Sequence, residues 1–344
     1  ANRDTERDEK HFDWRYLKRP NNGLKSVIVW AENNNGKKIG ALSVVPHHYS
    51  IDNKVYPLGI LGDISVAKEY RGKGIAKQMF KYLSELDEIK KLKACIVLPN
   101  EDAARPLEKT GWQTVSRLER YIKVLDVKKR LKGKIFLKAI SQFMNFLLKL
   151  LSYEMFLKKA QGFKEEVIDS FDERFDELWN SLKKDGMIIG LRNKKYLRWR
   201  YSLHPTVRYK IFTLTNKYPT PSLTLPTGGG GKGEGEKRLC GYIVFHINED
   251  ICYIDDILCL DEKKYPIYLL FYFLRNVREN KLASLIYISV NKNVLSEQLL
   301  CKFGFIKRPD CQKFMLNLNG TIIDNTQSSL NSNNWVLTAG DKDV

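Results

Sequence analysis

Two glycine-rich, lysine-bearing stretches in this chain invite the same chemistry. TGGGGKGEGEK spans 227–237 and EYRGKGIAKQM spans 69–79. Glycine lets backbone N–H groups approach an anion, and lysine adds charge, so either stretch reads as a phosphate cradle. The second is embedded in GDISVAKEYRGKGIAKQMFKYLSE, residues 62–85, a strand, a basic turn and a helix. There Gly72 and Gly74 permit a tight turn. A helix starting near Ile75 aims free N–H groups and its positive dipole end back at that turn. Arg71 and Lys73 add charge, which suits a pyrophosphate. A plain strand–helix connection with incidental basic residues is the competing reading, because short glycine motifs are common.

The elements that must position this turn follow from a repeat. WRY occurs twice, in FDWRYLKRP (12–20) and LRWRYSLHP (197–205), with Trp14 and Trp199 185 residues apart. Asp63 in GDISV and Asp256 in DDILC are 193 apart, as are Asn100 and Asn293, and Gly111 and Gly304. Agreement in order and offset reads as two copies of one domain. After each WRY come an apolar strand, a turn and a second strand. A strand ending near the Asp, a helix, a strand, a short helix ending in Gly-aromatic and a closing strand complete each copy. This predicts an α/β (α+β) fold of two tandem domains, each a mostly antiparallel mixed sheet with helices on both faces. We place the first domain at 1–126, a basic amphipathic connector at 127–165, the second domain at 166–318 and a tail at 319–344. A helix-like run before the second WRY carries Phe171, Phe175, Leu178 and Leu182 at helical spacing. The first copy shows no counterpart, so its opening strand and helix are expected to be missing.

The repeat also decides between the glycine stretches. Gly40 and Gly241 differ by 201, against 185 before the turn, so the second copy carries 16 extra residues, the length of SLTLPTGGGGKGEGEK at 222–237. A strand follows it, not a helix, and its composition is that of a linker. We therefore expect a disordered hairpin insertion there and a phosphate site at RGKGIA. By the offset of 193, the second copy has Lys264, Tyr265, Pro266, Ile267 and Leu269 where the first has Arg71, Gly72, Lys73, Gly74 and Ala76. Proline removes an N–H and bulky side chains block an anion, so the second domain is expected to support the first, shape an acceptor cleft or dimerise within the chain.

The net charge is +18, favouring anionic partners. Nucleic acid is the weakest of these, since no helix-turn-helix, zinc or RNA-binding signature accompanies the charge. The six cysteines form no CxxC pair and read as reduced thiols, most in apolar runs of a cytoplasmic protein, and no clustered ligand set suggests a metal. Residues 127–163 mix apolar residues with Lys and Arg, and Lys138, Lys149 and Glu154 interrupt any membrane span. We expect a helix packed between the domains. Peripheral contact of 127–160 with an anionic membrane is the alternative.

Arg71-x-x-Gly74-x-Ala76, after a strand and before an amphipathic helix, resembles the R/Q-x-x-G-x-G/A signature of the Gcn5-related N-acetyltransferases. Asn100, Ala103, Gly111 and Trp112 resemble that family's second block. The resemblance covers about 12–125, and the degenerate repeat extends it to about 318. WRY, the duplication and the final NWVLTAGDKDV look like tandem acetyltransferases of bacterial surface-polysaccharide gene clusters. It implies a splayed strand pair, with acetyl-CoA as co-substrate and no metal. The pantetheine would lie along Ile64, Ser65 and Val66, and the pyrophosphate on Arg71, Gly72, Lys73, Gly74, Ile75 and Ala76, with Asn100 nearby. The acceptor would be an amine, such as a nucleotide- or lipid-linked amino sugar. Leu107 stands where the family commonly has a proton-donating tyrosine, leaving the acid unassigned. Asp63 is the first candidate base, with His47 and His48 as alternatives, although each histidine also reads as an edge-strand or surface residue. A non-catalytic binding or scaffold protein on the same fold is the second reading.

Overall fold

β-Branched and aromatic runs become strands, some paired with the next strand in a hairpin, as Lys38–Ile51 with Lys54–Val66, and others with a strand from a distant stretch, as Gln113–Val124 with Ile306–Asn317. The computed structural model describes residues 9–128, 136–150, 152–182, 184–216, 238–318 and 334–342. The glycine-rich insertion at 222–237 lies outside the described residues, as does the span 319–333.

The first half begins with α1 (Glu9–Phe12), continued by a π-helical turn, Asp13–Leu17, that carries WRY. Then come β1 (Val27–Glu32), β2 (Lys38–Ile51), β3 (Lys54–Val66), α2 (Ile75–Glu85), α3 (Asp87–Lys90), β4 (Cys95–Val97), α4 (Glu101–Glu108) and β5 (Gln113–Val124). The connector holds α5 (Phe136–Leu150). The second half runs β6 (Phe163–Ile168), α6 (Glu173–Ser181), β7 (Ile188–Gly190) and α7 (Lys194–Leu197), then a second π-helical turn, Arg198–Ser202, with the other WRY. It continues through β8 (Lys210–Asn216), β9 (Arg238–Asn248), β10 (Ile251–Cys259), α8 (Pro266–Glu279), β11 (Leu285–Val290), α9 (Glu297–Lys302) and β12 (Ile306–Asn317). The tail adds β13 (Trp335–Val336).

All thirteen strands among the described residues join one sheet, in the order β13-β7-β2-β3-β4-β12-β5-β11-β10-β9-β8-β6, with β1 also on β2. The centre of this order departs from two separate sheets. β12, the last strand of the second half, lies between β4 and β5 of the first, while β5 pairs with β11 of the second. Each half therefore completes its sheet with the other's final strand. Trp14 and Trp199 mark a matching junction on the helical side. Their rings stack at 4.9 Å, and each indole N–H donates to the other's carbonyl at 2.8 Å.

Helices cover the sheet through apolar stripes. Asp172 caps α6, which buries Phe175, Leu178 and Trp179; Phe171 and Leu182 flank it in the same cluster. α8 is buried along most of its length, from Leu269 to Leu274 and again at Val277. The connector helix does not behave as expected. Instead of packing between the halves, α5 leaves Phe143, Met144, Phe146, Leu147 and Leu150 exposed. It is tied down by Asn145, which bonds Asp126 and the Val127 N–H.

Candidate active site

The turn after β3 has the geometry an anion needs. Gly72 and Gly74 have φ of +76° and +79°, a region that favours glycine, and a Cβ at either would meet only open space. Conformation, not crowding, is thus what demands glycine here. Gly74 is the N-cap of α2 and offers no side chain to the first-turn N–H groups. Arg71 to Gly74 are exposed, and Ile75 and Ala76 half-buried. Arg71 donates to the Val66 carbonyl at 3.1 Å, and the Lys73 ammonium lies 5.1 Å from the Tyr70 ring centroid.

Beside this turn, β3 and β4 part. Their parallel pairing covers only Gly59 with Cys95 and Ile60 with Ile96. Beyond that, no strand among the described residues lies beside the β4-facing edge of Leu61 to Val66, while β2 pairs Ser65 and Val66 on the other edge. Ile64, Ser65 and Val66 thus line a splayed strand pair that leads to the glycine turn.

Asp63 sits where β3 bulges against β2, at φ +50°. Its carboxylate is gripped by the first WRY. Arg15, which is buried, approaches at 3.1 Å; the Tyr16 hydroxyl donates to the same oxygen, as does Ser43 at 3.2 Å. Asp63 keeps 24% of its side-chain surface exposed. Burial, partly opposed by Arg15, and the adjacent carboxylate push the Tyr16 phenol well above its ordinary value, so it holds its proton. Tyr16 is the group that sequence reasoning missed. WRY served there only as a landmark, although its recurrence was the available signal.

His47 and His48 belong elsewhere. On β2, His47 pairs with Leu58, five residues along β3 from Asp63, or roughly 16 Å at about 3.3 Å per residue. Neither is at a sheet edge or open surface. His47 is sealed, stacks on Tyr196 at 4.3 Å, and is driven well below its ordinary pKa by burial and by Arg19 and Arg192. His48 is also buried, and its pKa is lowered by burial and then by Arg19. The Asn100 side chain accepts the Ala103 N–H at 2.8 Å and caps α4. Leu107 is a core residue at 1% exposure.

The second half lacks this site for two reasons. Helix α8 opens on Tyr265, at φ −92°, and Pro266, so Tyr265 rather than Ile267 stands at the place of Gly74. The tail also fills the strand gap. β10 and β11 pair only as far as Ile254 and Ile288, and beyond them Thr338 bridges to Val290. Thr338 donates to Asp256 at 2.8 Å, and Arg192 joins Asp256 at 3.2 Å to Asp341 at 2.7 Å, all buried. A cavity of about 40 Å³ between Ile257, Leu258 and Val336 is what is left.

Residues 1–115 match the family described as Acetyltransferase (GNAT) domain. No curated protein matches the sequence. Among solved structures, the chain is similar to a GCN5-related N-acetyltransferase from Anabaena variabilis, at 15% identity and TM-score 0.54, covering 85% of this chain and 63% of that one. It is similar to a probable N-acyltransferase from Enterococcus faecalis, at 10% identity and TM-score 0.53, covering 83% and 60%. Saccharomyces cerevisiae N-myristoyltransferase with bound myristoyl-CoA is similar at 15% identity and TM-score 0.52, covering 92% and 72%. The chain thus spans about three fifths of the length of the first two. The fold is that of the GNAT acyltransferases, and the first third of the chain carries the GNAT domain pattern.

Proposed function

We propose that this chain is an acyl-CoA-dependent N-acyltransferase with its donor site in the first half. The observation that carries the reading is a left-handed glycine turn at an uncapped helix start, beside a strand pair that parts after Ile60. In this reading the N–H groups of Arg71 to Ala76 take the cofactor's diphosphate, and the free edge of Ile64 to Val66 pairs with its amides. The donor is acetyl-CoA, and the acceptor an amine, such as an amino sugar on a nucleotide or lipid carrier for surface polysaccharide. The amine attacks the thioester carbon; a C–N bond forms and the C–S bond breaks. Asp63, the sequence candidate that solvent reaches, receives the amine's proton through water. Tyr16, already hydrogen-bonded to Asp63, passes its own proton to the thiolate and regains one from Asp63. A thiol pKa near about 8.5 makes the thiolate a tolerable leaving group, so the Tyr16 proton moves only as Asp63 returns one.

The chain reads as two GNAT-like units, 1–126 and 166–318, joined by 127–165 and sharing their last strands. Matching π-helical WRY turns and the reciprocal tryptophan pair support duplication. The exposed apolar face of α5, next to the basic run KKRLKGK at 128–134, supports peripheral contact with an anionic membrane. No described helix is long and apolar enough to cross one.

Calorimetry with acetyl-CoA, followed by thiol release across an amine panel including nucleotide-linked amino sugars, tests the reading. Absence of binding at micromolar concentration would sink it. Binding without thiol release would favour a non-catalytic protein, the reading to which Leu107 in the core lends weight.

A further inference from the structure

We infer that a cleft of about 820 Å³ between the end of β4 and the exchanged strands β5 and β12 binds the acceptor through a phosphate or diphosphate group. The word acceptor rests on the acyltransferase reading; the anion site does not. The cleft opens at Leu98 to Glu101, where β4 ends after diverging from β3, and so adjoins the point where an acyl group would be handed over. Its volume is that of an ordinary small-molecule site.

Its walls are cationic. Arg105 from α4, Arg117 and Arg120 from β5, Lys313 from β12 and Lys342 from the tail face two carboxylates, Glu101 and Asp310. Arg120 pairs with Asp310, and Lys313 with Glu108 at 2.6 Å. Arg105, Arg117 and Lys342 have no carboxylate partner among the described residues; Arg117 reaches only the Cys311 sulfur, at 3.6 Å, a weak acceptor. Inside the wall, the Arg120 Nε and the Gln312 Oε1 are buried without a hydrogen-bond partner. Buried polar atoms of this kind are normally satisfied: the Arg120 Nε–H asks for an acceptor such as a phosphate oxygen, and the Gln312 Oε1 for a donor such as water or a ligand hydroxyl. The Gln312 amide N–H groups, meanwhile, hold the Leu98 carbonyl at 2.8 Å and tie the cleft to the strand end. Burial, and then the neighbouring Arg120 charge, bring the Lys342 amine down to about 8. A bound anion relieves that repulsion. Guanidinium groups pair with phosphate and carboxylate oxygens alike, and it is the number of cations around one cleft that favours a multiply charged phosphate or diphosphate over a single carboxylate. The second half thus earns its place by supplying part of the acceptor wall.

The test uses the full chain and a variant, R105Q/R117Q, that changes two exposed side chains. Titration calorimetry is run with inorganic diphosphate, uridine diphosphate and geranyl diphosphate, and separately with acetyl-CoA. Diphosphate should bind the parent chain, weaken at least tenfold in the variant, and leave acetyl-CoA affinity within twofold. Saturating diphosphate should not displace acetyl-CoA. Tighter binding of uridine diphosphate supports the site and assigns it to nucleotide carriers; tighter binding of geranyl diphosphate supports it and assigns it to lipid carriers. Diphosphate binding without acetyl-CoA binding leaves the cleft standing and removes the donor reading. The inference is overturned if diphosphate does not bind at millimolar concentration, if the variant binds it normally, or if it competes with acetyl-CoA, which would place the anion on the Gly74 turn instead.

Discussion

Replacing Arg192 with methionine should show whether the tail is part of the second half's core. Arg192 is buried and holds two buried carboxylates, Asp256 through its Nε and Asp341 through its Nη2. It also donates to the Gly190 carbonyl at 2.8 Å. Methionine fills similar space but leaves the carboxylates facing each other. Breaking a buried pair from one side costs about 3–5 kcal/mol, roughly 4–7 °C in melting temperature for a chain of this size. The sign with pH is also fixed. Burial, and the neighbouring Asp256, already hold the Asp341 carboxyl above its ordinary value, although Arg192 pulls it down. A carboxyl raised in the folded state binds more protons folded than unfolded, so stability falls as pH rises through that window. Losing Arg192 widens the window upward, and the deficit should shrink as pH is lowered from 8 to 5. Thermal melts of the parent, R192M and R192M/D256N/D341N across that range decide the matter. The triple variant should recover part of the loss, because no unpaired charge stays buried. An R192M melting temperature within 2 °C of the parent at pH 7, or a triple variant no better than the single, refutes the reasoning.

At the proposed donor site, Gly74→Ala should cost about 1–2 kcal/mol of stability for its left-handed backbone. Gly74→Val should in addition weaken acetyl-CoA binding at least tenfold; equal affinities by calorimetry would remove the turn from the site. Tyr16→Phe should lower kcat by about 10²-fold or more and leave acetyl-CoA affinity unchanged, and a kcat within threefold of the parent would exclude Tyr16 as the acid. His204 is buried and held down to about 3 by burial and then by Arg200. The unfolded chain therefore binds the extra proton below about pH 6.5, and stability should fall by up to about 2 kcal/mol between pH 7 and 5. A His204→Asn variant should show a shallower acid loss in the same melts. Changing Phe143 and Phe146 to serine should reduce sedimentation with anionic vesicles; unchanged sedimentation would rule out the α5 face as the contact.

The glycine turn was legible because its signal is local: two glycines, a basic pair and a helix pattern fall within one short stretch. The approximate start of α2 at Ile75 follows from the same residues. The histidines misled because strand pairing puts His47 at the wrong end of β3, and pairing register is not written in either strand alone. Asn100 was legible as a motif residue, but its spacing to Ala103 serves the cap equally well. The exchange of β5 and β12 left no mark, since each strand has the same alternation whichever neighbour it meets. The α5 helix was misplaced by a sound generalisation: long apolar helices usually bury their stripe, and this one keeps Phe143 and Phe146 in the open.

The contrast between the halves supports the proposed donor site more strongly than either half alone. Parting two parallel strands strands their backbone N–H and C=O groups, and buried groups of that kind must find partners. In the second half the chain supplies them. Val290 bridges Thr338, the Asn291 N–H reaches the Leu337 carbonyl at 3.1 Å, and the Asn291 side chain takes the Leu337 N–H at 3.2 Å. Trp335 and Leu337 are completely buried in the process. In the first half the same gap, from Leu61 to Val66, has no strand beside it among the described residues and a glycine turn at its end. An extended ligand with amides along its length and phosphates at its far end would satisfy both features together, as Thr338 and its neighbours satisfy the second half from within. One gap closed by the chain's own tail and the other left open beside an anion-ready turn is the asymmetry expected when only one of two related units carries the chemistry.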